Sequence, residues 1–393
     1  MARKILRIIH LYMSNLKKRD ENLYVFGSWW GNKFADNSKY LFLHAYKKGL
    51  NAVWVTKNRD VYRELKNLNL PVVMHDSAEG IRICKKAKYY FYSTSLADIS
   101  DEYAGGAVLV NLWHGIPLKK IMYDNSIDNP DLKLVGKIRC ALTTIPLRKK
   151  YVVSTSTRIS EIYSSAFKIP SCRVLQLGQP RNDCFFDGTI KRKKYFDLDY
   201  NRLCVYMPTH RNEGKSKIEI DKIMDLGKLN EMCKKSNTFF LIKKHYYHKN
   251  EKERLDEFTN IIDITDYEID TQELLYNTDI LITDYSSCYI DFLLLDKPII
   301  FYAYDYEEYL INDREMYFEY TSVAPGPIAY DNKTFLNILS SVILNDDSHV
   351  EKRHQIRNLF YSSENQKQVS DKILSCLGEL DDRKGYRKDS DNK

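Results

Sequence analysis

Short apolar runs, each too brief for a helix and each ended by polar or glycine-containing sequence, limit what this chain can become. A first series lies at 23–26 (LYVF), 52–55 (AVWV), 72–74 (VVM), 89–92 (YYFY) and 108–112 (VLVNL). A second lies at 203–207 (LCVYM), 239–242 (FFLI), 261–264 (IIDI), 280–283 (ILIT) and 299–302 (IIFY). Runs of this length without polar alternation read as strands buried on both faces. Between the first two, residues 36–48 have a helical pattern, with Asp36, Asn37 or Ser38 as cap and Gly49 as stop. In the second series, 251–258 and 271–276 read as helices. Strand alternating with helix predicts parallel sheets. The fold class expected is α/β: two Rossmann-like, doubly wound domains facing a cleft, at 21–190 and 195–377, joined through the basic stretch 191–194. Ligands of such sheets sit at the carboxyl ends of the strands.

The ends differ from this pattern. Residues 1–20 read as a helix with Ile5, Ile8, Ile9, Tyr12, Met13 and Leu16 in one stripe and Arg3, Lys4, Arg7, Lys17 and Lys18 off it. Such a helix packs on a domain or rests on an anionic membrane surface. The start is too polar for a signal peptide, and no apolar run approaches the ~18 residues of a spanning helix, so the expected place is the cytoplasm. Residues 378–393 are charged and read as a disordered tail. Eight cysteines contain no CxxC pair, which argues against structural zinc and a disulfide framework and reads most of them as small buried hydrophobes. The net charge of +7 suits an anionic partner. With no nucleic-acid motif and no concentrated aromatic-basic surface, nucleic acid is not the partner expected.

Chemistry-bearing residues follow the apolar runs. Trp113-His114-Gly115 follows 108–112, so His114 stands at a strand's carboxyl end and can accept a proton from a hydroxyl; alone, it equally suits a structural histidine. Thr209-His210-Arg211 follows 203–207, where Arg211 can fork onto phosphate oxygens or be a surface arginine. Lys243-Lys244-His245 follows 239–242 as a cationic rim or a solvated turn. Asp284-Tyr285-Ser286-Ser287 follows 280–283 and precedes a helical stretch, so Ser286 and Ser287 suit a helix cap, an anion, or both. No glycine-rich phosphate loop and no metal-ligand spacing accompanies them, so ATP, dinucleotide and metal readings lose support.

Taken in order, WHGIPLKK (113–120), LGQPRND (177–183), PTHR (208–211), KKH (243–245), LITDYSSCYIDFLLLDKPIIFYAYD (281–305) and PGP (325–327) resemble the CDP-glycerol glycerophosphotransferase family, which includes teichoic acid primases and polymerases. The resemblance spans 23–328. It implies a GT-B-like fold and transfer of glycerol phosphate from CDP-glycerol, with release of CMP, to a polyprenyl-linked glycan or polyol-phosphate acceptor in teichoic acid or capsule synthesis. It implies no cofactor beyond the donor. By the same resemblance His114 and His245 are catalytic. Thr209, Arg211, Lys243, Asp284, Ser286 and Ser287 bind the donor, and Trp113, Lys119 and Lys120 lie on the acceptor side. The family's acceptors imply a peripheral enzyme on the cytoplasmic face of the membrane, and 132–153 is a basic amphipathic stretch suited to that surface. His210 and Lys244 stand where the family often has Trp and Pro, which leaves CDP-ribitol open as donor. A nucleotide-sugar glycosyltransferase on the same fold is the other enzyme reading.

Overall fold

The computed structural model describes residues 2–125, 145–196, 198–211, 217–244, 255–312 and 315–382. They form two compact units. Among the described residues the first takes 2–114, 145–183 and 362–382, and the second takes 115–125 and 184–361. This partition differs from the sequence-based boundary near 190. The stretch after His114 belongs to the second unit, and the chain's last helices belong to the first.

The first unit is built on a fully parallel sheet of β1 (Asp20–Gly27), β2 (Asn51–Thr56), β3 (Val72–Met74), β4 (Ala87–Tyr92), β5 (Val108–Asn111), β6 (Lys150–Ser154) and β7 (Val174–Gln176). Its order is β3-β2-β1-β4-β5-β6-β7. The apolar runs form strands because both faces are covered. Phe26, Trp54, Phe91, Val108 and Val110 pack toward one layer, and Val25, Val55, Tyr90 and Leu109 toward the other. The order reverses between β1 and β4, which opens the carboxyl ends at that point.

Several elements differ from expectation. Residues 150–153 are strand rather than amphipathic helix, and Tyr151, Val152 and Val153 are buried in it. Of the rest of that basic stretch, 145–147 form a turn and 132–144 lie outside the described residues. Helix Asp36–Lys47 has Ala35 at its N-cap, without a side-chain cap, and Asp36 stands in its first turn. Residues 378–382 are helical, not frayed: helix Leu377–Asp382 follows helix Val369–Ser375, and Leu377 and Leu380 are buried in the first unit's core. Asp183 ties the first of these helices down, its carboxylate accepting the backbone N–H groups of Val369 and Ser370 at 2.8 Å each. This caps a helix start from a distance, which contributes about 0.5–2 kcal/mol.

The N-terminal helix, Ala2–Asn15, is held by a different residue from the expected stripe. Leu11 is buried, and the helix backbone lies so close to Gly105 that a Cβ there would meet the Leu11 carbonyl at 2.0 Å. Arg19, buried just beyond, donates to the carbonyls of Cys84, Ala87, Tyr103 and Gly105. Leu6, Ile9, Met13 and Leu16 remain exposed. Among the described residues no helix is long and apolar enough to cross a membrane.

The second unit repeats the plan. Strands β8 (Arg202–Met207), β9 (Thr238–Ile242), β10 (Ile261–Asp263), β11 (Ile280–Thr283), β12 (Ile299–Tyr302) and β13 (Ile328–Ala329) form a parallel sheet in the order β10-β9-β8-β11-β12-β13. The reversal falls between β8 and β11. Helix Thr271–Asn277 is as expected, whereas 255–258 make a turn; 251–254 lie outside the described residues. Cys84, Cys184, Cys204 and Cys233 are buried, as small apolar residues would be, while Cys172 is exposed and Cys288 and Cys376 are half-buried.

Candidate functional site

The candidate residues gather near the order reversal of each sheet, and each half is a structure in its own right. In the first unit, β5 ends at Asn111, whose side chain accepts the Trp113 N–H at 2.9 Å and turns the chain so that His114 follows at the sheet's edge. His114 Nδ1 lies 2.9 Å from the carbonyl oxygen of Ser93, the residue after β4. A carbonyl only accepts, so Nδ1 carries the proton and Nε2 presents a lone pair. The ring lies 4.2 Å from that of Trp113 and 5.5 Å from that of Trp29. Burial lowers the His114 pKa below the ordinary histidine value. The Asp36 carboxylate and the bond to Ser93 oppose this, and the Arg181 guanidinium adds to it. The neutral form therefore prevails at pH 7.

The surroundings are fixed tightly. Arg181 donates to Asp36 at 3.1 Å and to the His114 carbonyl at 2.9 Å. Trp29 Nε1 donates to the other Asp36 oxygen. Buried Asn37 donates to the carbonyls of Leu112 and Trp113 at 3.1 and 2.9 Å. Asp98, fully buried, accepts the N–H groups of Trp30, Ser93 and Thr94 at 2.7–2.9 Å and so joins the loop after β1 to the loop after β4. Gly27 is obligatory here, because a Cβ would meet the Asp98 carbonyl at 2.4 Å. Trp29, Trp30, Asp36 and Trp113 all have φ between 49° and 58°. Left-handed backbone at bulky residues costs about 1–3 kcal/mol each and persists only where the surroundings over-determine it. Trp113 itself is buried, with its ring edge-on to Phe167, so it is a wall of the histidine site rather than an acceptor contact.

In the second unit the loops after β8, β11 and β12 meet on one guanidinium. Arg211 donates through Nε and Nη2 to the two oxygens of Asp305 at 2.6 and 3.0 Å, through Nη2 to Asp284 at 2.9 Å, and through Nη1 to the Thr209 carbonyl at 2.5 Å. It is buried among the rings of Tyr285, Tyr304 and Tyr309, 5.1–5.5 Å away. Burial disfavours its charge, but the Asp284 carboxylate and the bond to Asp305 outweigh that and raise its pKa, so it stays charged. Asp284 is fully buried and also accepts the Thr209 N–H at 2.8 Å, the Thr209 hydroxyl at 2.7 Å and the Tyr285 N–H at 2.6 Å. Arg211, Thr209 and Asp284 are thus committed to one another. Their geometry sets the loops in place, whereas the sequence had suggested donor contacts.

Other candidates sort differently. Ser286 and Ser287 are half-buried ahead of helix Cys288–Phe292, where Ser286 Oγ accepts the Cys288 N–H at 3.4 Å and Ser287 makes no side-chain cap bond. Lys243 Nζ donates to the carbonyls of Ile264 and Tyr267 at 3.2 and 2.6 Å. The Lys244 side chain is fully buried, 3.7 Å from buried Asp263, so its departure from the family pattern supports the sheet and not a ligand surface. His245 lies outside the described residues. Lys119 and Lys120 belong to the second unit: Leu118–Lys120 run antiparallel to 315–317, Lys119 Nζ sits 4.7 Å from the Tyr309 ring, and Lys120 pairs with Glu315. Sequence reasoning assigned no site role to Asp36, Arg181, Asp98 or Asp305. Asp36 was read only as a helix cap, Arg181 and Asp305 lay unremarked inside LGQPRND and the 281–305 segment, and Asp98 carried no signal.

Residues 10–378 match the family model of CDP-glycerol:poly(glycerophosphate) glycerophosphotransferase. The teichoic acid glycerol-phosphate transferase of Staphylococcus aureus is 27% identical over 379 residues, covering 92% of this chain and 94% of that protein. The teichoic acid ribitol-phosphate primase of Bacillus spizizenii is 28% identical over 282 residues, covering 69% and 70%. The solved structure of the wall teichoic acid polymerase TagF matches with a TM-score of 0.74 at 24% identity, covering 96% of this chain and 95% of that one, which shows a shared GT-B-like fold.

The buried carboxylates make a stability prediction. Arg211→Ala leaves Asp284 and Asp305 without their counter-charge, which should cost about 3–5 kcal/mol. Denaturant unfolding of the variant measures it; wild-type stability would mean that the guanidinium serves a ligand and not the fold.

Proposed function

Because the chain belongs to the CDP-glycerol:poly(glycerophosphate) glycerophosphotransferase family, we propose that it moves glycerol phosphate from CDP-glycerol onto a hydroxyl of a lipid-linked glycan or polyol-phosphate acceptor and releases CMP. The observation that carries the chemical step is the Nδ1 bond of His114 to Ser93, which leaves Nε2 able to take a proton. The acceptor hydroxyl gives its proton to Nε2 as its oxygen bonds to the donor's β-phosphorus. The bond from that phosphorus to the bridging oxygen breaks, and the electron pair leaves with CMP. Ser286 and Ser287, with His245, receive the charge that develops on the leaving phosphate. Arg211, Asp284 and Thr209 act through them by fixing the loop that carries the serines. The donor is the only small molecule this reading needs.

Ribitol phosphate is the second reading, favoured by comparable similarity to a ribitol-phosphate primase. One assay separates the possibilities: the purified protein is incubated with CDP-glycerol, CDP-ribitol and a panel of nucleotide sugars. Release of CMP from a CDP-polyol supports polyol-phosphate transfer and names the polyol. Release of a nucleoside diphosphate from a nucleotide sugar would replace it with a glycosyltransferase.

In the same assay His114→Ala should lower turnover by about 10²–10⁴-fold while donor binding persists. The histidine is the base in its neutral form, so activity is lost as pH falls through its lowered pKa. The acid limb of kcat/KM should therefore lie below about 6.5, the ordinary histidine value. A limb above 7, or a His114→Ala variant with near-normal turnover, removes His114 from the proton transfer.

The same reading places the protein on the cytoplasmic face of the membrane. The exposed Leu6, Ile9, Met13 and Leu16 of the N-terminal segment supply apolar anchors, and Arg7, Lys17 and Lys18 supply cations. Flotation with anionic vesicles should recover the wild-type chain and lose a Leu6→Asp/Met13→Asp double variant. Equal flotation of both would assign membrane contact elsewhere.

A further inference from the structure

The chain leaves the first unit after His114 and again after Asp183, and it comes back at Ser362. The first-unit ends of these crossings are bound together. The His114 carbonyl belongs to the peptide that leads out, and Arg181 donates to it at 2.9 Å. Asp183, two residues beyond Arg181, accepts the N–H groups of Val369 and Ser370, shortly after the return. The returning segment lies against the same part of the chain. Ser362 N–H donates to the Thr155 carbonyl at 3.1 Å, and the Asn365 side chain donates to the Gln176 carbonyl at 2.9 Å. Gly178, with a φ of 109°, permits the approach, because a Cβ there would meet the Asn365 carbonyl at 2.4 Å.

We propose that Asp183 is a positioning residue for His114: by holding the returning segment against residues 177–183, it keeps that loop seated on the helix and the turn that orient the imidazole. The effect on geometry stands alone, whereas the effect on rate rests on the polyol-phosphate transfer reading above. The path from Asp183 to the ring is short. Arg181 N–H donates to Asn37 Oδ1 at 3.2 Å, and its guanidinium donates to Asp36 at 3.1 Å. Asn37 Nδ2 lies 3.3 Å from Gln179 Oε1 and holds the carbonyls of Leu112 and Trp113. The loop therefore grips the His114 turn twice, directly at the His114 carbonyl and indirectly through Asn37. Asn37, Gln179 and Arg181 are all buried, so a partner lost by one of them is not readily replaced by water.

A purely local role would make Asp183 a cap for helix Val369–Ser375 and nothing more. The backbone argues otherwise. The helix's own N-cap, Gln368, makes no side-chain cap bond and stands in left-handed backbone with a φ of 55°. Such backbone persists where the surroundings hold it, and here the Asp183 carboxylate holds the two residues that follow. The helix start is thus shaped around Asp183, and loop and helix are ordered as one piece. The other end of the argument has the same character, since Trp113 and Asp36 are also left-handed.

Hydrogen exchange on the full chain, resolved by peptide mass spectrometry, tests this. In Asp183→Asn one of the two N–H groups loses its acceptor and faces an amide N–H instead. Exchange should quicken about tenfold in the peptide covering 365–376 and also in the one covering 111–116. Asp371→Ala is the control. It removes that helix's contacts with His44 and Lys48, at 3.0 and 2.5 Å, without touching 177–183, so 111–116 should exchange as in the wild type. Asn365→Ala, which removes the donation to Gln176, takes the place of Asp183→Asn if that variant fails to fold, and the same pattern is expected. Quickened exchange at 365–376 alone, no change at either peptide, or equal quickening of 111–116 in the control overturns the proposal. With CDP-glycerol, kcat of Asp183→Asn should fall about 10–100-fold while KM holds; an unchanged kcat beside quickened exchange at 111–116 overturns the proposal as well. Exchange needs no turnover, so a wild-type protein that releases no CMP from any CDP-polyol sinks the transfer reading alone.

Discussion

A neutral imidazole can take a proton only through the nitrogen that lacks one, so the bond between His114 Nδ1 and the Ser93 carbonyl decides what the first unit can do. The bond is possible because β4 and β5 are parallel neighbours, with Tyr92 level with Asn111. Their continuing loops therefore leave the sheet side by side. Asp98 then freezes the Ser93 loop, and Asn37 freezes the turn that carries Trp113 and His114. The strained tryptophans fit the same account. Backbone that is costly to hold collects where a ring must be kept both oriented and shielded from water, and the shielding is what lowers the histidine's pKa.

The second unit uses electrostatics differently. At the ends of β8, β11 and β12 one guanidinium and two carboxylates neutralise each other inside a cluster of tyrosines. A buried, satisfied ion cluster of this kind adds little net stability but is expensive to break, so it locks the ends of β8, β11 and β12 into one arrangement. Ser286 and Ser287 follow it, half-buried ahead of helix Cys288–Phe292. The two units thus differ: one holds a shielded neutral imidazole, the other a rigid frame of paired charges.

Much of this was legible in the residues. The central strands read correctly because burial on both faces leaves uninterrupted apolar runs, and the positions of His114, Arg211 and Asp284 at strand ends followed from that. Strands β6, β7 and β13 were missed for physical reasons. β6 begins at Lys150 inside a basic stretch, which gives it the look of an amphipathic helix, and β7 and β13 are three and two residues long. Arg211's true partner was hidden by distance in sequence, since Asp305 lies 94 residues on and shows itself only when β8, β11 and β12 are laid side by side. The division of WHGIPLKK between the two units was equally invisible, because it depends on the pairing of Leu118–Lys120 with 315–317. The charged final residues read as a tail because nothing local shows that Leu377 and Leu380 reach the first unit's core.

The account rests on the protonation state of a single ring, and that state can be observed directly. Nitrogen-15 NMR of the histidine-labelled protein at pH 7, with the His114 signals assigned through a His114→Gln variant, reports each ring nitrogen separately. The account predicts a proton on Nδ1 and a bare Nε2. A proton on Nε2, or on both nitrogens, would contradict it.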